Sequence, residues 1–486
     1  MAERLIFKDG MSTMIKPYLK YILPVILPLI ILLLPASSFG IEGLTFVEQR
    51  VIAIFVMAAL CWVLEPIPIY ATSVLIIVFE LLLISDNGLW FATNGDPQLQ
   101  GLLLPQSTIM ATFASPIIML FLGGFFLAMA ATKYRLDVNL ARVLLRPFGH
   151  RPKNVMLGIM MITAVFSMFM SNTATTAMML SILTPVLVLF PKEDLGKVAF
   201  ALSVPVAANI GGIATPIGTP PNAVALKYLV DQYSVSFAQW MAIGVPFVIV
   251  MLLIAWLLLN YLFPAERKEI TLDIEGQFLK TPRAYLVYGT FVSTILLWLL
   301  GGVHGMSSYV VAMLPVAVFS TFKIIGKEDL KNISWDVLWL VSGGIALGVA
   351  MDKSGLASNA INAIPFDSFH PLLLIVGASI LCLLMANFMS NTATANLLLP
   401  LVAALGASMQ SLIPYGGHVV LILAVTFSAS LGMSLPVSTP PNALAYASGH
   451  IKNTQMLKVG GIIGCIGLLI TFAMLFLLNK LGLVGV

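Results

Sequence analysis

The sequence predicts an all-α polytopic membrane protein with about eleven transmembrane helices and two re-entrant hairpins arranged as an inverted repeat. Three observations carry this prediction. The 486 residues are 59% hydrophobic and 9% charged, with a mean hydropathy of +1.00, whereas soluble domains carry about 25% charged residues. Apolar runs of bilayer-spanning length recur along the chain. Two polar motifs inside such runs each occur twice, at nearly the same spacing.

Eleven apolar runs approach or exceed the length of about 20 residues that a helix needs to cross a bilayer. They are 18–36, 49–64, 66–85, 112–132, 198–228, 239–263, 284–301, 306–325, 335–352, 419–448 and 455–479. The N-terminus has the basic residues Arg4, Lys8, Lys16 and Lys20, followed by an apolar run from Tyr21 to Leu34, and it also fits a signal peptide with a cleavage region at 36–38. We prefer a first transmembrane helix with a cytoplasmic basic end.

Two further apolar stretches, 154–190 and 371–412, are interrupted near the middle by the sequence Ser-Asn-Thr-Ala-Thr, which begins at Ser171 and Ser390. Each stretch is long enough for two half-crossings, so we predict two re-entrant hairpins. With a cytoplasmic N-terminus, this topology places 21 of the 25 Lys and Arg residues on the cytoplasmic side, as the positive-inside rule requires. The four exceptions are Arg50, Lys227, Lys353 and Lys480.

Three landmarks of the first half recur in the second half of the chain. The offsets are 220 residues for a Gly-Gly pair, 219 for Ser-Asn-Thr-Ala-Thr and 220 for Thr-Pro-Pro-Asn; the pairs begin at Gly123 and Gly343, Ser171 and Ser390, and Thr219 and Thr439. Five predicted crossings separate the two Ser-Asn-Thr motifs, and because five is odd, the second copy is inverted. Inverted repeats with interrupted helices near the midplane are typical of secondary transporters.

The chemistry of the two motifs indicates a site for a cation and an anion. The paired prolines at Pro220 and Pro440 lack backbone donors and oppose helical continuation by the residues before them. The two Thr-Pro-Pro-Asn helices should therefore be unwound within the membrane. Unwinding leaves carbonyl oxygens, which suit hard cations, and helix N-terminal N–H groups, which suit anions. The hairpin tips add hydroxyl and amide groups to both.

Charged residues are absent from the stretches that carry these motifs, namely 154–190, 198–226, 371–412 and 419–448. A proton-coupled carrier usually has an intramembrane carboxylate or histidine. A doubly charged anion in a neutral site needs compensation, which sodium ions would provide. Small residues and hydroxyls also commonly hold transmembrane helices together. We assign that packing role to the Gly-Gly pairs, but two inverted copies of paired motifs favour a transport site.

These residues resemble the divalent anion/sodium symporter (DASS) family, which includes the INDY proteins and the mammalian sodium-dicarboxylate and sodium-citrate cotransporters. The resemblance covers nearly the whole chain. It implies a homodimeric elevator transporter, in which a transport domain moves against a scaffold domain. The scaffold would comprise 1–115 and 284–334. The transport domain would comprise 116–263 and 335–486, with hairpins 154–190 and 371–412, broken helices 198–228 and 419–448, and amphipathic arms near 134–150 and 354–366.

The resemblance also implies individual site residues. Substrate contacts fall on Ser171, Asn172, Thr173, Thr219, Pro220, Ser390, Asn391, Thr392, Thr439 and Pro440. A first sodium site would use Ser167, Ser171, Asn172 and Gly218, and a second would use Met389, Asn391 and Ser438. The second site departs from the symmetry of the repeat, because the position equivalent to Ser167 is Ala386, which has no side-chain oxygen.

We therefore expect a plasma-membrane (inner-membrane) carrier that imports C4-dicarboxylates such as succinate, malate or fumarate with sodium. A sodium-independent di- or tricarboxylate exchanger of the same fold is the main alternative, and citrate or sulfate are alternative substrates. The sequence contains no HExxH motif or Ser-His-Asp grouping, so we expect no enzyme and no cofactor besides the coupling sodium ions. The expected partners are the anion, sodium, the lipid bilayer and a second copy of the chain, without nucleic acid.

Overall fold

The computed structural model describes residues 2–41, 43–89, 102–191, 193–233, 235–270, 277–363 and 369–482. Regular structure in these ranges is helical apart from an isolated bridge between Ser85 and Leu104. Lys192 and the end of the predicted second arm, 364–366, lie outside the described residues.

The longer α-helices of the described residues overlap the predicted apolar runs, hairpins and arms, and three α-helices of four or five residues lie between them. The α-helices are α1 (Ala2–Leu33), α2 (Phe46–Leu64), α3 (Ile69–Leu83), α4 (Gln106–Met110), α5 (Pro116–Lys133), α6 (Leu136–Leu145), α7 (Pro152–Phe169), α8 (Asn172–Leu189), α9 (Gly196–Gly211), α10 (Pro220–Tyr233), α11 (Phe237–Leu262), α12 (Pro282–Leu299), α13 (Gly301–His304), α14 (Ser308–Thr321), α15 (Lys327–Leu330), α16 (Trp335–Lys353), α17 (Leu356–Ala363), α18 (Pro371–Phe388), α19 (Asn391–Ser408), α20 (Gly417–Leu431), α21 (Pro440–Ala447) and α22 (Asn453–Lys480). Short 3-10 helices lie at Ala36–Phe39, Ala111–Ala114, Arg146–Phe148, Gly212–Ala214 and Gln410–Tyr415.

Several helix boundaries have a local cause in the sequence. Proline is the first residue of α5, α7, α10, α12, α18 and α21, a position where its missing N–H costs nothing. Thr45 and Glu48 form a capping box at the start of α2, and Ser236 and Gln239 form another at the start of α11. Eight helices among the described residues are long and apolar enough to cross a membrane. The all-α polytopic fold is confirmed, and the count of eleven crossings stays a prediction.

Both predicted broken helices are broken. The run 198–228 is divided into α9 and α10, and the run 419–448 into α20 and α21. Each hairpin consists of two helices of 18 residues, α7 with α8 and α18 with α19. At 1.5 Å per residue each arm is about 27 Å long, longer than the half-crossing that the sequence predicts. The difference arises because only Met170-Ser171 and Met389-Ser390 interrupt the helices.

The chain divides into two compact units. The first contains 1–115, 335–370 and 400–410, and the second contains 116–334, 371–399 and 411–486. All of the predicted site residues belong to the second unit, in which α9 is almost wholly buried. The predicted division into scaffold and transport domains is a division by motion rather than by contacts, and it stays a prediction.

In each repeat the helix that carries the Gly-Gly pair packs against a helix of the other repeat. In the second unit α5 packs against α14, and in the first unit α16 packs against α3. A Cβ added to Gly123 would overlap the backbone of Ala312 on α14, and one added to Gly343 would overlap Ser73 on α3. The predicted packing role of the Gly-Gly pairs is confirmed at both positions.

Replacing Gly123 by Ala should destabilise the protein, because the added methyl group has no room beside the Ala312 carbonyl. We expect the free energy of unfolding to fall by about 1–3 kcal/mol, as overpacking typically costs. Gly289→Ala is the matched control. Gly289 lies on the exposed face of α12 with nothing within 4 Å of its added Cβ, so this change should stabilise the helix by about 0.5–1 kcal/mol. Thermal unfolding in detergent measures both, and equal shifts would contradict the packing role.

Candidate functional site

Each hairpin tip is an N-terminal cap. Ser171 precedes α8, and its Oγ accepts a hydrogen bond of 3.2 Å from the Ala174 N–H. Ser390 precedes α19, and its Oγ accepts one of 3.1 Å from the Ala393 N–H. The serine of each motif therefore has a structural task that is independent of any ligand. The caps place Asn172 and Asn391 at the first helical position, where the helix dipole favours negative charge.

Oxygen atoms converge behind the first tip. The buried Ser167 Oγ lies 2.5 Å from Asn172 Oδ1 and 2.8 Å from the Ala208 carbonyl oxygen. A hydroxyl has a single proton, so it cannot donate to both acceptors at once. At least one of these close oxygen pairs is therefore without a hydrogen between its members. Such a cluster of neutral oxygens suits a hard cation.

Glycine at 212 leaves space beside this cluster. A Cβ placed on Gly212 would lie 2.6 Å from Asn172 Oδ1 and 2.9 Å from the Gly218 carbonyl oxygen. Both predicted sodium ligands therefore face the same small space. The sequence did not identify the Ala208 carbonyl, because a backbone oxygen on a different helix leaves no mark in a motif.

In both repeats a hydroxyl of the unwound segment donates to the equivalent carbonyl of the hairpin, although the two hydroxyls lie at different positions of the repeat. Thr215 Oγ1 donates to the Met168 carbonyl, and Ser438 Oγ donates to the Asn387 carbonyl at 2.8 Å. Both carbonyls lie three residues before the serine of the tip. Ser438, predicted as a sodium ligand through its carbonyl, also accepts from the Leu435 N–H with its hydroxyl. Its side chain thus holds the unwound segment in place.

The asparagine of each Thr-Pro-Pro-Asn motif holds the unwound segment before it through hydrogen bonds, and we call these two residues the asparagine clamp. Neither was among the predicted site residues. Asn222 Nδ2 lies within hydrogen-bond distance of the Gly212 and Thr215 carbonyls, at 3.1 and 2.8 Å. Asn442 Nδ2 donates to the Met433 and Leu435 carbonyls, at 2.7 and 3.0 Å, and its bond to Leu435 corresponds to that of Asn222 to Thr215. The side chains of Asn442 and Asn222 are buried. The recurrence of this asparagine in both motifs was the feature of the sequence that could have identified it.

The second tip differs from the first. Ala386 replaces the serine, and Gly432 packs so closely on it that an added Cβ would overlap the alanine methyl group. The Asn391 Oδ1 atom is buried and has no hydrogen-bond partner. A buried amide oxygen without a donor is costly, and a bound cation would satisfy it. This unsatisfied oxygen fits the second predicted sodium site in spite of the missing hydroxyl.

One hydrogen-bonded cluster joins the two repeats. Asn209 on α9 donates from Nδ2 to Thr439 Oγ1 and to Asn442 Oδ1, at 3.1 Å each. The equivalent of Asn209 in the second repeat is Ala429, and the Asn222 Oδ1 atom is correspondingly buried without a partner. Sequence reasoning missed Asn209 because the bond joins residues 230 positions apart.

The remaining predicted substrate contacts differ in exposure between the repeats. Thr173 is exposed and Thr392 is buried, and Thr219 is buried as well. Pro220 is half-buried and Pro440 is exposed. Helix α21 packs against α8 and α9, so the second Thr-Pro-Pro-Asn motif meets the helix of the first tip. Among the hydrogen bonds of the described residues, none joins the two tips, and their sharing of one substrate stays a prediction.

A cavity of about 330 Å³ opens beside the first tip, and Ser171, Thr132 and Lys133 contribute polar groups to its wall. Lys133 Nζ donates to Asp329 Oδ2 at 2.6 Å and to the Ile324 carbonyl at 2.8 Å. Burial raises the pKa of Asp329, but the Gly326 N–H and the Lys133 ammonium outweigh it and hold that pKa below its usual value. In the ranges the structure describes, no group of three or more His, Cys, Asp or Glu residues could hold a metal ion.

Comparisons with known proteins identify similar chains. The family model of the sodium:sulfate symporter transmembrane region matches residues 16–481. The sodium-dependent dicarboxylate transporter SdcS of Staphylococcus aureus is 30% identical over 92% of this chain and 89% of its own length. The inorganic phosphate transporter PHO87 of Saccharomyces cerevisiae is 30% identical over 86% of this chain and 45% of its own. The chain thus spans about half the length of the yeast relatives it matches.

Among solved structures, the YdaH transporter of Alcanivorax borkumensis matches with a TM-score of 0.54 and 13% identity, over 77% of this chain and 88% of that one. The MtrF protein of Neisseria gonorrhoeae matches with a TM-score of 0.51 and 14% identity, over 86% and 96%. At these identities the likeness concerns the fold alone. Both are described as transport proteins, and their folds are similar to the fold of this chain.

Proposed function

The chain belongs to the sodium:sulfate symporter family, and from that premise we propose that it imports C4-dicarboxylates such as succinate, malate and fumarate together with sodium ions. The observation that carries this proposal is the cluster of neutral oxygens behind the first tip. Asn172 Oδ1 and the Ala208 carbonyl oxygen both lie within hydrogen-bond distance of Ser167 Oγ, which has one proton to donate. Sodium, as a co-transported substrate, would bind these oxygens and balance the charge of the anion.

The anion would bind at helix N-termini and hydroxyl groups. Helix α8 begins at Asn172 and α21 begins at Pro440, and these two helices pack against each other. The N-terminus of a helix favours a carboxylate through its dipole and any free N–H groups. Helix α21 begins with two prolines, and its next N–H groups are bonded to Thr439, so it would offer the anion its dipole and the Thr439 hydroxyl. In the neutral stretches that surround the motifs, a dianion would find donors but no fixed cation. Because the site has no fixed cation, bound sodium ions would compensate the charge of the anion.

The relatives support the choice of substrate class. The chain covers 89% of the dicarboxylate transporter SdcS but only 45% of the phosphate transporter PHO87. We therefore place dicarboxylates before phosphate, and sulfate, named in the description of the family, after both. The proposal extends to a homodimer in the plasma membrane with a cytoplasmic N-terminus, in which the hairpins and broken helices move as an elevator against a scaffold.

The substrate class is tested with the purified protein in lipid vesicles under an inward sodium gradient. Labelled succinate should accumulate, and an excess of unlabelled malate or fumarate should compete with it. Citrate, sulfate and phosphate should compete weakly. Strong competition by sulfate or phosphate with none by malate would reject the dicarboxylate assignment and leave the transporter fold untouched.

A sodium-independent exchanger of the same fold is the second candidate, and Ala386 favours it. Without a hydroxyl at that position, the second cation site has fewer side-chain oxygens than the first. An exchanger would need only the anion contacts, so it would carry labelled succinate only into vesicles already filled with an unlabelled dicarboxylate. The intact oxygen cluster at Ser167 favours the symporter over this candidate.

Ser167→Ala should lower the apparent affinity for sodium while the protein remains folded. The change removes one oxygen from the cluster, and we expect the sodium concentration for half-maximal uptake to rise about threefold to tenfold, as the loss of one such interaction predicts. Ser203→Ala is the matched control, because Ser203 is also buried but donates to the Phe200 carbonyl within α9. Uptake at varied sodium measures both. Equal shifts in the two variants would contradict a sodium site at Ser167.

A further inference from the structure

We propose that Asn209 is a positioning residue that commits the Thr439 hydroxyl to donate its proton to the carried anion. The inference deepens the proposed function and rests on it, since it assigns the anion a specific donor and identifies what aims that donor. Asn209 lies on α9 of the first repeat and Thr439 precedes α21 of the second. Through their hydrogen bond, the anion-binding Thr439 of the second repeat depends on Asn209 of the first repeat.

The hydrogen bonds at Thr439 leave its oxygen with only a donor role. Thr439 Oγ1 accepts a bond of 3.1 Å from Asn209 Nδ2 and one of 3.2 Å from the Asn442 N–H. A hydroxyl offers two lone pairs and one proton. With both lone pairs occupied by N–H donors, the hydroxyl can no longer bind a cation well and can act only as a donor. A carboxylate oxygen is the acceptor that such a donor suits.

The orientation of the Asn209 amide is fixed by its second bond. Asn209 Nδ2 also donates to Asn442 Oδ1 at 3.1 Å. Asn442 must present that oxygen, because its own Nδ2 donates to the Met433 and Leu435 carbonyls. A flipped Asn209 would bring two amide oxygens together. The side chains are buried, with Asn209 2%, Thr439 5% and Asn442 2% exposed, so water does not substitute for these bonds.

The first repeat lacks this arrangement. Ala429 occupies the position equivalent to Asn209 and has no donor for the Thr-Pro-Pro-Asn motif of its partner repeat. The Asn222 Oδ1 atom is accordingly buried without a hydrogen-bond partner. Thr219 is therefore not committed to donation in the way Thr439 is. The anion would be recognised mainly at the second motif, and unsatisfied amide oxygens such as that of Asn222 leave the first motif suited to cations.

A double-mutant cycle tests the assignment, with the KM for succinate measured by initial uptake into vesicles at saturating sodium. Thr439→Val should raise KM about tenfold to a hundredfold, since a hydrogen bond to a charged group is lost. Asn209→Ala should raise it about threefold to tenfold. In the Thr439→Val background, Asn209→Ala should have no further effect. The sodium concentration for half-maximal uptake should stay unchanged in all three variants.

The control cycle pairs Asn209→Ala with Thr219→Val. The two effects on KM should multiply, because the hydrogen bonds of the Asn209 side chain in the described residues go to Thr439 and Asn442 and not to Thr219. If Asn209→Ala does not fold, Asn209→Ser carries both cycles with a smaller rise in KM. An unchanged KM in a folded Asn209 variant, or multiplying effects of Asn209 and Thr439, would overturn the inference. Failure of the unaltered protein to take up succinate with sodium would instead reject the proposed function.

Discussion

Replacing Asn391 by Ala is expected to abolish sodium-dependent uptake without lowering the unfolding temperature. The Asn391 Oδ1 atom is buried and unsatisfied, so it costs stability in the absence of a ligand. Removing it relieves that cost and at the same time removes a predicted ligand of the second sodium site. A packing residue would behave in the opposite way, because truncation would lower stability first.

Uptake into vesicles and thermal unfolding in detergent are measured on the same preparations. Asn260→Ala is the matched control, since Asn260 donates to the Trp256 carbonyl within its own helix, and it should transport normally. Asn172→Ala should also abolish uptake, with at most a modest loss of stability, because the Ser167 hydroxyl that lies 2.5 Å from Asn172 Oδ1 can still donate to the Ala208 carbonyl. Normal uptake by either tip variant would refute the assignment of the motifs, and loss of uptake only together with unfolding would favour packing.

Asn442→Ala should lower the free energy of unfolding far more than a substitution on the surface does, because it loosens the second broken helix. Its buried Nδ2 donates to the Met433 and Leu435 carbonyls, and both acceptors would lose this donor. We expect the free energy of unfolding to fall by about 2–4 kcal/mol, because unsatisfied buried polar groups cost about 1–3 kcal/mol each. Asn222→Ala removes the bonds to the Gly212 and Thr215 carbonyls of the first broken helix and should cost a similar amount.

Denaturant or thermal unfolding checks these two variants, with Asn154→Ala as the control. Asn154 is exposed at the start of α7, and its replacement should change stability by less than about 0.5 kcal/mol. For Asn222→Ala, the fluorescence of Trp240 offers a local probe, because its Nε1 donates to the Ile213 carbonyl in the same unwound segment. Asn442→Ala as stable as the control would show that the asparagine clamp does not hold the segment.

The sequence was sufficient to predict the helices and the breaks because both depend on local chemistry. Apolar runs of bilayer length become helices. The glycine-containing segment after Gly211 separates α9 from α10, and Pro-Pro starts α10. The length of the hairpin arms was less predictable, since a two-residue interruption such as Met170-Ser171 stops a helix as effectively as a longer loop.

Contacts between distant helices were beyond sequence reasoning. The Ala208 carbonyl leaves no side-chain signature, and Asn209 becomes meaningful only when α9 lies beside α21. The contacts between the repeats at Gly123 and Gly343 likewise depend on the packing of α5 and α16. The symmetry of the motifs was visible in the sequence, but its breakdown at Ala429 acquired a consequence only through the unsatisfied Asn222 oxygen.

The most direct test of sodium coupling is the uptake of labelled succinate into vesicles that contain no dicarboxylate. An inward gradient of sodium is compared with an equal gradient of potassium. The proposed symporter should accumulate succinate above its external concentration with sodium and show only background uptake with potassium. Uptake that ignores sodium and requires unlabelled dicarboxylate inside the vesicles would contradict the symporter, and the oxygen cluster at Ser167 would then lose its role as a cation site.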